Sequence, residues 1–285
     1  MAGAKSYLEG NREERFFCGM LVHALLSSSL VRTQFVALVH QKGGPELCPD
    51  DLEIFIEVAA LRDYWRNLGK PGGRYTERYK GTETNRKILL ERILREEVDA
   101  DPGLIARHSL LFRTQEPKAN LWIPGHWSID GIQAMIDKEG ISEDKQKALK
   151  RKLSQVKWAF NAKPDLLLLS GKTAVLVETK LESGVGRAGE YNQYEIQELI
   201  ARLLKHFVPW FSQYDFYHAL IDLGKLRQNG GRQIPKSRGW TCLSWGEICS
   251  IVLEDPRLDA FTRRTFEALR NLSVAAIDAE KPSSN

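Results

Sequence analysis

Lys163 to Glu182 reads KPDLLLLSGKTAVLVETKLE, and this stretch decides the architecture. Asp165 opens an apolar run from Leu166 to Leu169, Ser170-Gly171-Lys172 signals a turn, and a second apolar run from Thr173 to Val177 ends in Glu178-Thr179-Lys180. Two strands joined by a tight turn bring the charges at their outer ends together. Alternation along a strand puts Glu178 and Lys180 on one face and Thr179 on the other. Two carboxylates and an ammonium beside apolar surface are costly unless they hold a metal or do chemistry. Hard oxygen ligands suit Mg²⁺. A protonated Lys cannot ligate, but it can orient a water or a phosphate. The competing reading is an ordinary hairpin with a surface ion pair between Glu178 and Lys180.

The flanking sequence supplies the other elements. Asn11 is a good N-cap, and Glu13 and Glu14 fall in the first turn, where the helix dipole favours acids. Phe16, Phe17, Met20, Leu21, Ala24 and Leu25 then repeat at helical spacing. Glu14 shares a face with Phe17 and Leu21; Glu13 shares one with Phe16, Phe17 and Met20. Both also complement the dipole with no further role. Asp50-Asp51 predicts a helix running to about Trp65, and Thr84 to Val98 an amphipathic helix. Short strands are expected around Leu110 and Leu121, and a basic helix over Gly140 to Ser154. Beyond Lys180 come a glycine-bearing loop (Ser183 to Gly189) and a helix from about Tyr191 to His206, on which Gln193 and Gln197 share a face. Tyr214 to Ile221 and Trp240 to Leu243 read as strands, and Ser244 with Glu247 as a capping box.

Pro164-Asp165 followed by Glu178-Thr179-Lys180 resembles the signature of the PD-(D/E)XK nuclease superfamily, which includes many restriction endonucleases and repair nucleases. The resemblance covers residues 11–23 and roughly 161–251. It implies an α/β fold with a restriction-endonuclease-like core, a mixed four-stranded sheet flanked by helices, carrying a mostly helical insertion. The expected division is a first core helix in 1–40, a helical insertion or recognition subdomain in 41–155, the nuclease core in 156–275 and a disordered tail in 276–285. The resemblance further implies Mg²⁺-dependent hydrolysis of DNA phosphodiester bonds, with Mn²⁺ as a substitute. Asp165, Glu178 and the Thr179 backbone carbonyl are the implied metal ligands. Lys180 is implied to position or deprotonate water and to stabilise developing charge. Glu14, slightly ahead of Glu13, is implied to join them, and Gln193 or Gln197 to orient substrate or water. DNA as partner, a role in restriction or phage defence and a homodimer are expectations from the same source. The alternative is a catalytically inactive nucleic-acid-binding module of the same fold.

Composition is that of an ordinary globular protein, with 42% hydrophobic and 27% charged residues. The net charge of +4, from 41 basic and 37 acidic residues, is too small to mark nucleic-acid binding by itself. Its distribution is more telling. Lys147, Lys150, Arg151 and Lys152 lead toward the hairpin, and Lys225, Arg227, Arg232, Lys236 and Arg238 lie in a Gly-rich loop. Each cluster is either a phosphate-binding surface or a solvated one. Four cysteines without a CxxC pair give no disulfide framework and no cluster-binding spacing, so a reducing cytoplasm is the default. Cys18, inside an apolar run, reads as a small buried residue. The polar N-terminus is not a secretory signal, the run Phe16 to Val31 is too short and too polar to span a membrane, and the six histidines are scattered. The tryptophans, mostly in apolar contexts, read as core. Walker, GxGxxG and GxSxG motifs are absent.

Overall fold

The computed structural model describes residues 14–68, 82–113, 121–181, 187–188, 191–223 and 236–278. The chain begins with helices α1 (Glu14–Ser27) and α2 (Ser29–Gln41), strand β1 (Glu53–Ile56), and helices α3 (Ala60–Asn67), α4 (Thr82–Ile93), α5 (Leu104–Arg107), α6 (Ser109–Phe112), α7 (Ile129–Lys138) and α8 (Glu143–Asn161). Strands β2 (Leu166–Ser170), β3 (Thr173–Thr179), β4 (Arg187–Ala188) and β5 (Tyr191–Asn192) follow. Helix α9 (Gln193–Phe207), strands β6 (Asp215–Asp222) and β7 (Thr241–Ser244), and helices α10 (Trp245–Glu254) and α11 (Ala260–Asp278) complete it. Among the described residues no single helix is long and apolar enough to cross a membrane.

Two compact units emerge, one of residues 1–58, 164–185 and 214–285, the other of residues 59–163 and 186–213. The expected segments 41–155 and 156–275 therefore divide differently. β1 belongs with the sheet, while the end of α8 and all of α9 belong with the helical unit. Asn11, Glu13 and residues 279–285 lie outside the described residues, while 276–278 of the expected disordered tail are helical, at the end of α11.

The first unit is built on a five-stranded mixed sheet in the order β1-β2-β3-β6-β7. The first three strands are antiparallel; β6 runs parallel to β3, and β7 parallel to β6. The hairpin is as read from the sequence, with Ser170 opposite Thr173 across a two-residue turn. Gly171 has φ +55°, a conformation that a side chain would strain. Asp51 clamps that turn, accepting from the Ser170 hydroxyl at 2.6 Å and the Gly171 N–H at 3.1 Å. Leu166, Leu168, Val175, Val177, Ala219, Ile221 and Leu243 join one core with Phe17, Leu21 and Leu25 of α1 and Phe35 of α2. Trp245, Ile248 and Phe266 from α10 and α11 belong to the same core. On the alternate positions Leu167, Leu176 and Leu220 are buried too, which explains the unbroken apolar runs.

The sheet has one strand more than expected. The extra one is β1, in a stretch read as helical from the Asp50-Asp51 cap. Glu53 to Ile56 pairs in register with Leu169 to Leu166, so a ready partner strand overrides a local capping signal. Helix resumes only at Ala60. Ser28 breaks the first helical run. Its hydroxyl accepts from Val31 N–H at 3.1 Å, capping α2, and donates to Asp255 at 2.5 Å. The capping box at Ser244 and Glu247 is present as read, and Lys42 pairs with Glu247.

Among its described residues the second unit is helical apart from the small β4–β5 pair and an isolated bridge. T-shaped ring pairs, Trp65 with Phe160 and Phe112 with Trp127, mark its interior. α4 passes into a π-turn over Leu94–Val98, closed by Asp99 in the left-handed region. Among the described residues the strands expected around Leu110 and Leu121 do not form. Leu110 lies in α6, and Leu121 forms nothing longer than a single bridge to Arg113. Trp210 departs from the reading of the tryptophans as core, being 79% exposed.

Candidate functional site

The ladder of β2 and β3 ends at the pair Leu166–Val177, and one step further Asp165 stands beside Glu178. Both neighbouring strands pin these ends. Glu57 N–H donates to the Asp165 carbonyl at 3.0 Å, and Lys180 N–H donates to the Ile221 carbonyl at 2.8 Å. The backbone that carries the charges is thus held as part of the sheet.

The side chains converge as alternation requires. The Lys180 ammonium donates to Glu178 Oε1 at 2.7 Å and to Glu14 Oε2 at 3.2 Å. Glu14 also accepts from the Leu181 N–H through Oε1 at 3.2 Å, tying the first turn of α1 to the end of β3. Asp165 turns to Thr179: its Oδ2 accepts from the Thr179 N–H at 2.7 Å and from the Thr179 hydroxyl at 2.9 Å. Among the described residues no hydrogen bond ends on Asp165 Oδ1. This is no surface ion pair, because Glu178 is 4% exposed and Lys180 8%.

Electrostatics follow from burial and crowding. Burial first, then the neighbouring Asp165, raises the Glu178 carboxyl from 4.5 to about 7, against the pull of Lys180. Asp165 is also raised, chiefly by burial. Burial opposes the charge on Lys180, but Glu178, Glu14 and Asp165 outweigh it and hold the ammonium above its ordinary range. In this setting Lys180 is a proton-bearing donor, which favours positioning over the deprotonation that the resemblance also allows. Three carboxylates, Glu14, Asp165 and Glu178, gather about one ammonium. An all-oxygen, acid-rich set, with Asp165 Oδ1 bonded by no described residue, fits a hard divalent cation. Among the described residues no group of three or more His, Cys, Asp or Glu side chains is arranged to hold a metal ion. The expected ligand set is of another kind, two carboxylates and the Thr179 carbonyl.

Two residues at this place escaped the sequence reading. Cys18, one turn after Glu14 on α1, lies with its Sγ 3.1 Å from Thr179 Oγ1. Burial raises its thiol to about 12. Its helical spacing from Glu14 was the available signal, but an apolar run made it look like filler. Asp222, 1% exposed, ends β6 one residue beyond Ile221, the partner of Thr179. An acid closing an apolar strand was the signal there.

Most of the remaining candidates belong to the second unit. Gln193 and Gln197 stand on the first two turns of α9, with Gln197 buried. On α8, Lys147 pairs with Glu143 at 2.8 Å and Arg151 with Glu195 at 2.7 Å, while Lys150 and Lys152 are half-buried. In the other basic cluster, which falls in the first unit, Lys236 and Arg238 are exposed, and Lys225, Arg227 and Arg232 lie outside the described residues. No protein-family model, curated protein or solved structure matches this chain.

Proposed function

We propose that this chain is a Mg²⁺-dependent nuclease with a restriction-endonuclease-like core, acting on DNA phosphodiester bonds. The observation that carries the reading is the meeting of half-buried Glu14 and Asp165 with buried Glu178 around the buried Lys180. It lies at the ends of an antiparallel hairpin whose second strand continues into a parallel pair. The order of helix α1, three antiparallel strands, helix α9 and a parallel strand also agrees with the core that the resemblance implies.

In this reading Asp165, Glu178 and the Thr179 carbonyl hold the cation. When bound, Mg²⁺ supplies charge neutralisation at a phosphate and lowers the pKa of water. Glu14 and Glu178 hold the Lys180 ammonium at one place, so its third N–H is available to a phosphate oxygen or a water. An ammonium fixed before the reaction stabilises charge as it develops, without reorganising. Glu14, accepting from Leu181 N–H as well, keeps α1 in register with the end of β3 and so sets where that ammonium stands. Restriction or another form of phage defence is the role we assign, with a homodimer as the form that cuts both strands.

One observation favours a second reading, a binding module of the same fold without chemistry: Lys180 is already engaged by two carboxylates. The test is cleavage of plasmid and single-stranded DNA with Mg²⁺ and with EDTA, for the parent and for Glu178→Gln. The nuclease reading expects cutting that EDTA abolishes and that Glu178→Gln slows by about 100-fold or more. Binding without cutting under Mg²⁺ and Mn²⁺ alike would establish the module instead.

A further inference from the structure

Oδ2 of Asp165 is held by two donors of the same residue, the N–H and the hydroxyl of Thr179. The hydroxyl has one hydrogen, and it is spent on Asp165. The 3.1 Å approach between Thr179 Oγ1 and Cys18 Sγ therefore has one sense, in which the thiol donates and the hydroxyl oxygen accepts. The result is a directed chain: Cys18 S–H to Thr179 Oγ1, and Thr179 O–H to Asp165 Oδ2. All three members are held by structure that does not depend on the chain itself. Cys18 sits inside α1 and is 1% exposed, Thr179 closes β3 and is fully buried, and Asp165 has its carbonyl bonded by Glu57 N–H.

We propose that Thr179, through its side chain, and Cys18, through Thr179, are positioning residues that fix the rotation of the Asp165 carboxylate and reserve its Oδ1 for the cation. This inference rests on the metal reading of the site. Two donors on one oxygen prevent the carboxyl from turning about its last bond, so one oxygen is committed to the protein and the other is left for the cation. A β-branched residue suits the position twice over. Its Cβ favours the strand, and its hydroxyl lies where it can reach back to the partner end of the hairpin. Outer hydrogen bonds of this kind orient metal ligands, and losing one costs about 10–100-fold in metal affinity. The thiol supplies a weaker, second-order push, because it acts only on the hydroxyl oxygen. Were the thiol simple filler, any small apolar residue would serve as well at position 18.

The test uses the full-length protein and has two arms. In the first, Mn²⁺ alone is titrated and free ion is read by electron paramagnetic resonance, without DNA. Thr179→Val is expected to bind Mn²⁺ at least about 10-fold more weakly, and Thr179→Ser to recover most of that loss. Cys18→Ala is expected to weaken binding less, Cys18→Ser to restore it, and Cys18→Ala to add nothing in the Thr179→Val background. Parent-like binding by Thr179→Val, or additive losses in the double variant, overturns the inference. The second arm is metal-free. The infrared S–H stretching band of Cys18, isolated by subtracting the Cys18→Ala spectrum, should be that of a donating thiol in the parent and should relax in Thr179→Val. An unchanged band overturns the chain. If the parent binds no Mn²⁺, the metal reading falls and the proposed reservation of Oδ1 falls with it, and the infrared arm still decides whether the Cys18–Thr179–Asp165 chain exists. Should Thr179→Val fail to fold, the comparison of Cys18→Ala with Cys18→Ser decides the thiol's part, with equal Mn²⁺ binding by parent and Cys18→Ala counting against it.

Discussion

Replacing Lys180 with Met keeps most of the side chain's volume and removes its charge. What it leaves is Glu178, 4% exposed, with Asp165 beside it and Glu14 on the far side of the missing ammonium. Breaking a buried pair by removing one partner costs about 3–5 kcal/mol, because the remaining charge stays desolvated without compensation. A typical domain has about 5–15 kcal/mol to lose, so the variant should fold while standing close to its limit. Removing both partners in Glu178→Leu/Lys180→Met should be far milder than the sum of the single changes, with a coupling energy of about 2–3 kcal/mol. A cation able to replace the missing charge should stabilise Lys180→Met more than it stabilises the parent. At a concentration 100 times its Kd, Mg²⁺ would add about 2.7 kcal/mol. The assay is urea unfolding at pH 8, in EDTA and in Mg²⁺, followed by hydrogen exchange in peptides from α1 and β3. Local readout keeps the result specific to the unit that holds the site. A Lys180→Met protein as stable as the parent in EDTA would refute the buried-pair reasoning. It follows that lost activity in a Lys180 variant identifies a chemical role only after its stability has been measured.

Neutralising Lys147, Lys150, Arg151 and Lys152 together should weaken DNA binding and flatten its salt dependence by about 0.9 in log–log slope for each phosphate no longer neutralised. Because Lys147 and Arg151 already have acidic partners, the change should fall short of what four phosphates would give; parent-like binding across a salt titration would move the DNA surface to Lys236 and Arg238. Asp255 is held well below the usual carboxylate range by Arg257, with help from Ser28. A depressed folded-state pKa contributes stability that is present above the unfolded value of about 4 and is lost as pH falls through the folded one. Asp255→Asn should therefore unfold at lower temperature than the parent at pH 7, with the gap closing toward pH 2; a gap independent of pH would disprove the charge argument. Ser28→Ala, which removes the cap of α2, should cost about 1 kcal/mol in chemical unfolding.

The hairpin was legible because its signal is local. A run of leucines, a Ser-Gly-Lys turn and a second run of β-formers fix both strands and their register with no help from elsewhere. The charges at the ends of that register could then be paired on paper, and Asp165, Glu178 and Lys180 do converge. β1 was illegible for the opposite reason. Four residues behind an Asp-Asp cap contain no periodicity that separates helix from strand, and the deciding interaction is with Leu166–Leu169, more than 100 positions away. Position 18 shows a subtler limit. Cysteine in an apolar helix is the expected choice for a buried small residue, and it is indeed buried. Its hydrogen bond comes from where α1 rests on β3, a relation set by Glu14 reaching Lys180 and Leu181 across 166 and 167 positions of chain. Composition cannot distinguish a thiol that fills space from one that donates. That difference lies in the single hydrogen of Thr179, which is already committed to Asp165 and so makes the thiol the donor.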